Sequence, residues 1–361
     1  MSHERHPQPM KAPDALRPRR GALAWLLPAA VLWMSLWTAA SAAEVGWRNR
    51  TLPGDGPDAL PTEIALWYPT QATPRSLPMG PFTVQAAPGA APEPQVAGLV
   101  LISHGTGGSE LGHARIAEAL ARRGWLVVAL RHPRDNWQDA SLIRDSALRY
   151  FDTRPRQASR VLDLILSDPE WGPRIARDGA GPRVAVIGHS AGGYTVLALA
   201  GGRPDVTRIA RHCTERRAED PIFCGTGRAG DIPASLPASP SLRDARVRAA
   251  IALAPVGVVL DPASLAAISI PVAVHVPMGD RWLVPRFHGE SVAALIPGAT
   301  LERVDKAWHF AYMDTPSMPI PTPDGDVGAD PHGFDRAAYL KALGPRLADY
   351  LDVAMTRTQK P

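Results

Sequence analysis

Arg183-Val184-Ala185-Val186-Ile187-Gly188-His189-Ser190-Ala191-Gly192-Gly193-Tyr194 sets one serine between an apolar run and a run of small residues, with glycine two positions before it and two after. Val184 to Ile187 is short, apolar and mostly β-branched, bounded by Gly181-Pro182 and Gly188, which is the pattern of a strand buried on both faces. The residues from Ala191 to Ala200 are small and apolar and are closed by Gly201-Gly202, as in a helix packed on a sheet. A serine at so tight a strand-to-helix hinge leaves no room for a Cβ on its near neighbours, and glycine at those places removes the clash. Ser190 is therefore the candidate nucleophile. In a chain with 31 glycines the five-residue pattern is weak by itself, and the strand before it and the helix after it carry the weight.

Working outward, strand-like runs occupy 45–52, 63–68, 99–103, 125–130, 249–254, 272–276 and 300–304, and helical patterns cover 111–123 and 157–167. A last helix is predicted over 334–353, with Gly344-Pro345 expected to kink or restart it. The Pro-rich stretch 71–97 has no sustained period and is expected to be a surface excursion, while 202–248 reads as a polar, lid-like insertion. Strands alternating with helices predict one α/β domain over 43–361 with a doubly wound, mostly parallel sheet. The strand C-termini would then share one edge, where sites of this architecture collect.

The first 42 residues read as a targeting segment: a basic Arg17-Pro18-Arg19-Arg20, an apolar stretch 21–38 and a small-residue Ala40-Ser41-Ala42 cleavage pattern. Export to the periplasm or the medium is the expectation. The alternative is an uncleaved anchor, since the run is long enough to span a bilayer. That segment holds five of the 39 Lys/Arg and two of the 35 Asp/Glu, so the remainder is close to neutral at +1. No basic patch with interleaved aromatics suggests nucleic acid, and no second apolar run suggests a membrane span once the leader is removed. Cys213 and Cys224, the two cysteines of the chain, sit in one polar stretch and are read as a short disulfide. Oligomeric state leaves no mark on the pattern.

A serine hydroxyl needs a general base, and the base needs an orienting carboxylate; in a fold that carries the serine at such an elbow the chain order is serine, acid, histidine. Asp280 ends Pro277-Met278-Gly279-Asp280 after the strand 272–276, and His309 ends Lys306-Ala307-Trp308-His309 after the strand 300–304. These two are the candidate acid and base. Asp261 is the rival acid, and the other histidines fall in the leader, in polar or helical settings, inside a predicted strand or against the last helix. Two N–H donors must face the developing oxyanion. Ala191 supplies one, and Thr106 of Ser103-His104-Gly105-Thr106-Gly107-Gly108 is the candidate for the other. His104, Tyr194, Trp282 and Trp308 are candidate pocket residues. Asp324, Asp326 and Asp330 are spaced a little like a calcium loop, but Gly328 stands at a ligand position and no glutamate closes it, so no metal is assigned. The chemistry requires no cofactor.

Taken with Ala65-Leu66-Trp67-Tyr68-Pro69, Met79-Gly80-Pro81-Phe82, His132-Pro133, Asp135-Asn136, His309-Phe310 and Gly333-Phe334-Asp335-Arg336, the elbow and the His-Gly loop resemble the α/β-hydrolase superfamily. Within it they are most similar to the bacterial group like dienelactone hydrolases and platelet-activating factor acetylhydrolases. The resemblance implies hydrolysis of a small or short-acyl carboxylic ester through an acyl-enzyme on Ser190, with Asp280 and His309 completing the triad and Thr106 and Ala191 the oxyanion hole. Ser190 stands where true dienelactone hydrolases carry cysteine, and the polar insertion differs from the apolar docking surface of lipid-cleaving relatives. A phospholipase A2, lipase or amidase would use the same triad. A non-catalytic binding protein on the same fold is the reading of another class.

Overall fold

Apolar runs too short for helices and rich in β-branched residues pair into one ten-stranded sheet. A computed structural model describes residues 43–54, 60–226, 232–233 and 235–357, so the leader expected over 1–42 lies outside the described residues. The sheet belongs to the compact unit Ala42–Pro361. Its strands are β1 (Glu44–Leu52), β2 (Thr62–Thr70), β3 (Arg75–Met79), β4 (Phe82–Pro88), β5 (Leu99–Ser103), β6 (Leu126–Leu130), β7 (Val184–His189), β8 (Val247–Leu253), β9 (Val272–Pro277) and β10 (Thr300–Val304). They lie in the order β10-β9-β8-β7-β5-β6-β2-β1-β4-β3. From β6 to β10 every pairing is parallel, whereas β2 runs antiparallel to both β6 and β1.

Helices α1 (Ala114–Arg122), α2 (Ala147–Leu166), α3 (Ala191–Ala200), α4 (Thr207–Arg216), α5 (Pro221–Gly225), α6 (Pro262–Ala266), α7 (Gly289–Leu295) and α8 (Arg336–Arg357) complete the unit. Strand parity sorts the core into two layers. Leu99, Leu101, Val184 and Val186 pack with Val161 of α2 and Val196 of α3 on one face. Val100, Ile102, Ala185 and Ile187 pack with Leu120 of α1 and Leu347 of α8 on the other. Because both faces are covered, β5 to β9 are buried at every position. Their shared direction brings Ser103, His189 and Pro277 to one edge. Among the described residues no helix is long and apolar enough to cross a membrane.

Three expectations require correction. Residues 71–97 contain the hairpin β3–β4, with Met79 opposite Phe82 and β4 lying beside β1. Phe82, Val84 and Ala86 alternate inward with Thr83 and Gln85 outward, a period-two signal hidden by the surrounding prolines. Helix α2 starts at Ala147, ten residues before the predicted 157, with the Ser146 hydroxyl accepting the Arg149 N–H. Pro155 inside it lacks the N–H that would reach the Phe151 carbonyl, and the Tyr194 hydroxyl donates there instead, at 2.6 Å. Helix α8 runs unbroken through Gly344-Pro345. Leu340, Leu343, Leu347 and Leu351 are buried on both sides of the proline, which outweighs one missing bond, and a Cβ on Gly344 would stand 2.3 Å from that of Ala119 in α1.

The polar insertion between α3 and β8 is docked through Val206, Ile209, Phe223 and Leu242, which join the same apolar cluster as α2 and α3. Within it the Cys213–Cys224 disulfide joins α4 to α5. Replacing both cysteines by alanine frees a short loop in the unfolded chain, and is expected to remove about 2–3 kcal/mol of stability. In a thermal melt the midpoint should fall by roughly 3–5 °C.

Glu118 of α1 is buried and accepts the Gln85 N–H of β4 at 2.7 Å. Burial raises its pKa from 4.5 to about 7. The folded state thus holds a proton that the unfolded chain releases, so stability falls as pH rises between those two values and the deficit is complete above the higher one. Glu118→Gln keeps the acceptor and removes the ionisation. Urea titration should show the variant more stable than wild type by about 2–3 kcal/mol at pH 8, with the gain gone near pH 4.

Candidate active site

Ser190 joins β7 to α3 with φ 57° and ψ −117°, a left-handed conformation that a serine adopts only under constraint. Its N–H donates to Leu253 O at 2.9 Å, and its carbonyl accepts the N–H of Val256 at 3.1 Å and of Tyr194 at 3.2 Å. A Cβ on Gly188 would lie 2.0 Å from Gly192 O, and one on Gly192 would lie 1.9 Å from Ser103 O. Both flanking glycines are therefore required by close backbone approach.

The other two candidates converge on this hinge. His309 Nε2 lies 3.0 Å from Ser190 Oγ, and His309 Nδ1 lies 2.8 Å from Asp280 Oδ2. Asp280 Oδ1 accepts the N–H groups of Trp282 at 2.8 Å and Leu283 at 2.9 Å, so the turn after β9 holds the carboxylate from behind. With Nδ1–H donating to the carboxylate, His309 Nε2 is left to accept the serine proton. The Trp282 indole stacks on the imidazole at 5.9 Å. The rival Asp261 accepts the Ser264 N–H at the start of α6, which is a capping role.

His189, beside the serine, is a residue that the sequence pattern did not single out. Its Nε2 donates to the His309 carbonyl at 2.8 Å, tying His309 to the elbow through the main chain. Burial, then the neighbouring His309, push its pKa far below the ordinary value, so the ring is neutral.

The glycine-rich loop after β5 passes against Ser190, where a Cβ on Gly105 would come within 3.2 Å of the serine Cβ. Among the described residues neither Thr106 N–H nor Ala191 N–H has a protein acceptor. Ala191 opens α3, so its amide is one of the helix's unsatisfied donors. His104 is buried beneath this loop. Its Nε2 accepts the His132 N–H at 3.1 Å, so Nδ1 carries the proton and donates to Gly105 O at 2.5 Å. Burial and the Arg154 cation lower its pKa to about 4. Tyr194 is likewise a core residue, fully buried with its hydroxyl on Phe151 O, which leaves it no surface for a ligand. Trp308 is buried against Phe310, and Trp282 alone of the four pocket candidates is partly exposed. Trp137 is exposed, and its main-chain N–H donates to Gly108 O at the end of the glycine-rich loop.

One further cluster brings ligand-type atoms together: His212, Asp220 and His288. Gly257 N–H donates to His288 Nδ1 at 3.1 Å, which leaves the ring proton on Nε2, facing Asp220 Oδ2 at 2.9 Å. In that tautomer Nε2 offers no lone pair to a cation, and the cluster staples the insertion to the segment before α7. Asp324, Asp326 and Asp330 diverge, the first pairing with Arg281, the second capping Ile320 and Gly328 amides, and the third pairing with Arg336.

No protein-family model matches the chain. Among curated proteins, cutinase est1 of Thermobifida alba is 34% identical over 109 residues, 30% of this chain and 32% of that protein. Cutinase 2 of Thermobifida cellulosilytica is 33% identical over 109 residues, 30% of this chain and 36% of that protein. The chain thus spans about a third of the length of the curated relatives it matches. Among solved structures, a ferulic acid esterase from Streptomyces cinnamoneus superposes with a TM-score of 0.57 at 20% identity, covering 87% of this chain and 91% of that one. The fold is that of the α/β hydrolases, with a mostly parallel sheet covered on both faces and a polar insertion after the elbow helix.

Asp280→Asn keeps an oxygen for the Trp282 and Leu283 amides but favours the wrong tautomer of His309. Labelling of Ser190 by an organophosphonate should slow by about 10³–10⁴ at an unchanged thermal midpoint.

Proposed function

We propose that this protein is an exported serine hydrolase that cleaves a small or short-acyl carboxylic ester through an acyl-enzyme on Ser190. The observation that carries the reading is the continuous Ser190–His309–Asp280 relay, at 3.0 and 2.8 Å, on a strained elbow at the edge of the parallel strands. In the first half-reaction Ser190 Oγ attacks the ester carbonyl carbon while its proton passes to His309 Nε2. The carbonyl oxygen becomes an anion facing the Thr106 and Ala191 N–H groups. Collapse breaks the acyl–oxygen bond, and the leaving alkoxide takes the proton from His309. Water then repeats the sequence on the acyl-serine, releasing the acid and restoring the hydroxyl. Asp280 stays ionised and steadies the imidazolium.

Similarity to proteins named cutinases and to a ferulic acid esterase supports an ester rather than an amide. Likeness to the dienelactone hydrolase and platelet-activating factor acetylhydrolase group supports a small substrate. The disulfide and the leader over 1–42 support export.

The test is a panel of p-nitrophenyl esters from acetate to laurate, with matched anilides, on the protein lacking residues 1–42. Acetate and butyrate should be cleaved fastest, and Ser190→Ala should fall to the background rate. Preference for laurate would replace this reading by a lipase, preference for anilides by an amidase, and inactivity on all of them with no phosphonate labelling by a binding protein.

A further inference from the structure

A buried ion pair lies beneath the glycine-rich loop, and no step of the ester cleavage uses it. Asp135 and Arg154 are both fully buried. Taking two charges out of water is expensive, and an apolar pair of similar volume would stabilise a core at least as well. What the pair supplies instead is direction.

Asp135 Oδ1 accepts the Gly107 N–H at 2.9 Å, while Oδ2 accepts the Arg154 guanidinium and the Tyr150 hydroxyl, the latter at 2.8 Å. Since the one phenolic proton of Tyr150 is committed to Asp135, the 2.7 Å contact between Tyr150 and Thr106 runs from the threonine hydroxyl to the phenol oxygen. The side chain of residue 106 and the amide of residue 107 are thus both drawn towards the pair, and Thr106 N–H is left out of that network. Arg154 also donates to the His104 carbonyl, which fixes the chain where it leaves β5. Burial pushes the Asp135 carboxyl upward, but the Arg154 cation, His104 and the hydrogen bonds from Gly107 and Tyr150 together hold it below the ordinary value, so it stays ionised.

The same guanidinium reaches the other donor. Arg154 Nε donates to Thr195 Oγ1 at 3.3 Å, and Thr195 donates to the Ala191 carbonyl at 2.9 Å. We propose that the Asp135–Arg154 pair, acting through Tyr150 on one side and Thr195 on the other, fixes the spacing of the Thr106 and Ala191 N–H donors and so sets the geometry of the oxyanion hole. These four are positioning residues, and the inference rests on the serine-hydrolase reading of the site.

Removing Asp135 or Arg154 would strand a buried charge and endanger folding, so the test uses single hydroxyls. Tyr150→Phe and Thr195→Val are compared with wild type for ester turnover and for affinity towards an alkyl trifluoromethyl ketone. Ser190 Oγ adds to the carbonyl carbon of that ketone while its proton passes to His309 Nε2, the C=O π bond becoming the oxyanion of a hemiketal that occupies the hole, and fluorine NMR reads its formation. A donor displaced is not a donor removed, so kcat and ketone affinity should each fall roughly 10- to 100-fold, short of the 10²–10³ that loss of a whole donor brings. KM should stay within about twofold, as expected for an interaction realised in the transition state. Thr195→Ser, which keeps the hydroxyl, should restore most of what Thr195→Val loses. Folded variants with wild-type kcat and ketone affinity, or a loss confined to KM, would overturn the inference alone. A wild-type protein that forms no hemiketal would overturn the serine-hydrolase reading and the inference with it.

Discussion

The left-handed backbone at Ser190 is the constraint around which the rest is arranged. A serine at φ 57° carries strain of order 1–3 kcal/mol, and it persists only because the surroundings allow no alternative. β8 supplies the acceptor for its N–H, the loop after β8 donates to its carbonyl, and the first turn of α3 closes on it. Two glycines let β5 and the elbow helix approach to distances that no Cβ would permit. The result is a hydroxyl raised at the edge of the parallel strands, within reach of loops after β5, β9 and β10.

Beneath that hydroxyl the polar groups form chains with a fixed sense. Arg154 donates to Ser103, Ser103 to His132 Nε2, His132 Nδ1 to Gln157, and Gln157 to the Pro133 carbonyl. The Gln157 oxygen accepts only, which sets the tautomer of His132 and hence the direction of the whole chain. His104, His132 and His189 are all held neutral, with burial the main cause. The carboxylates of Asp135 and Asp280, buried near Ser190, each have more than two partners. In so dry a setting satisfied hydrogen bonds are rigid, and rigidity is what a preset oxyanion site needs.

The elbow was legible because its demands are local: a β-branched run, then glycines at two set offsets, then small residues. The parallel sheet was legible from strand and helix alternation, and chain order after late strands put forward Asp280 and His309, which the fold brings into hydrogen-bond contact with each other and with Ser190. What escaped notice did so for physical reasons. Prolines hid the short alternation of Phe82, Val84 and Ala86, and Pro155 hid the first half of α2, the half that holds Tyr150 and Arg154. Pro345 suggested a break that a continuous leucine stripe overrode. Tyr194 was read as a pocket residue because its neighbourhood is catalytic in pattern, but a helix that follows an elbow buries most of its residues, and Tyr194 answers an orphaned carbonyl instead.

By itself the amino-acid sequence determined the strands of the parallel half of the sheet, the elbow helix and the residue that stands at the hinge, because periodicity, turn chemistry and glycine placement act over a few residues. Only the tertiary structure decided which partners meet. His309 reaches Ser190 across 119 positions, and Arg154 reaches His104 across 50. Hydrogen bonds are directional and short, so whether two distant groups satisfy one another depends on helix start, tautomer and backbone approach, none of which a linear pattern encodes. The same holds for Asp135, quoted only as part of a family-like stretch, and Arg154, 19 positions further on, which become a buried pair only when α2 is laid against β5.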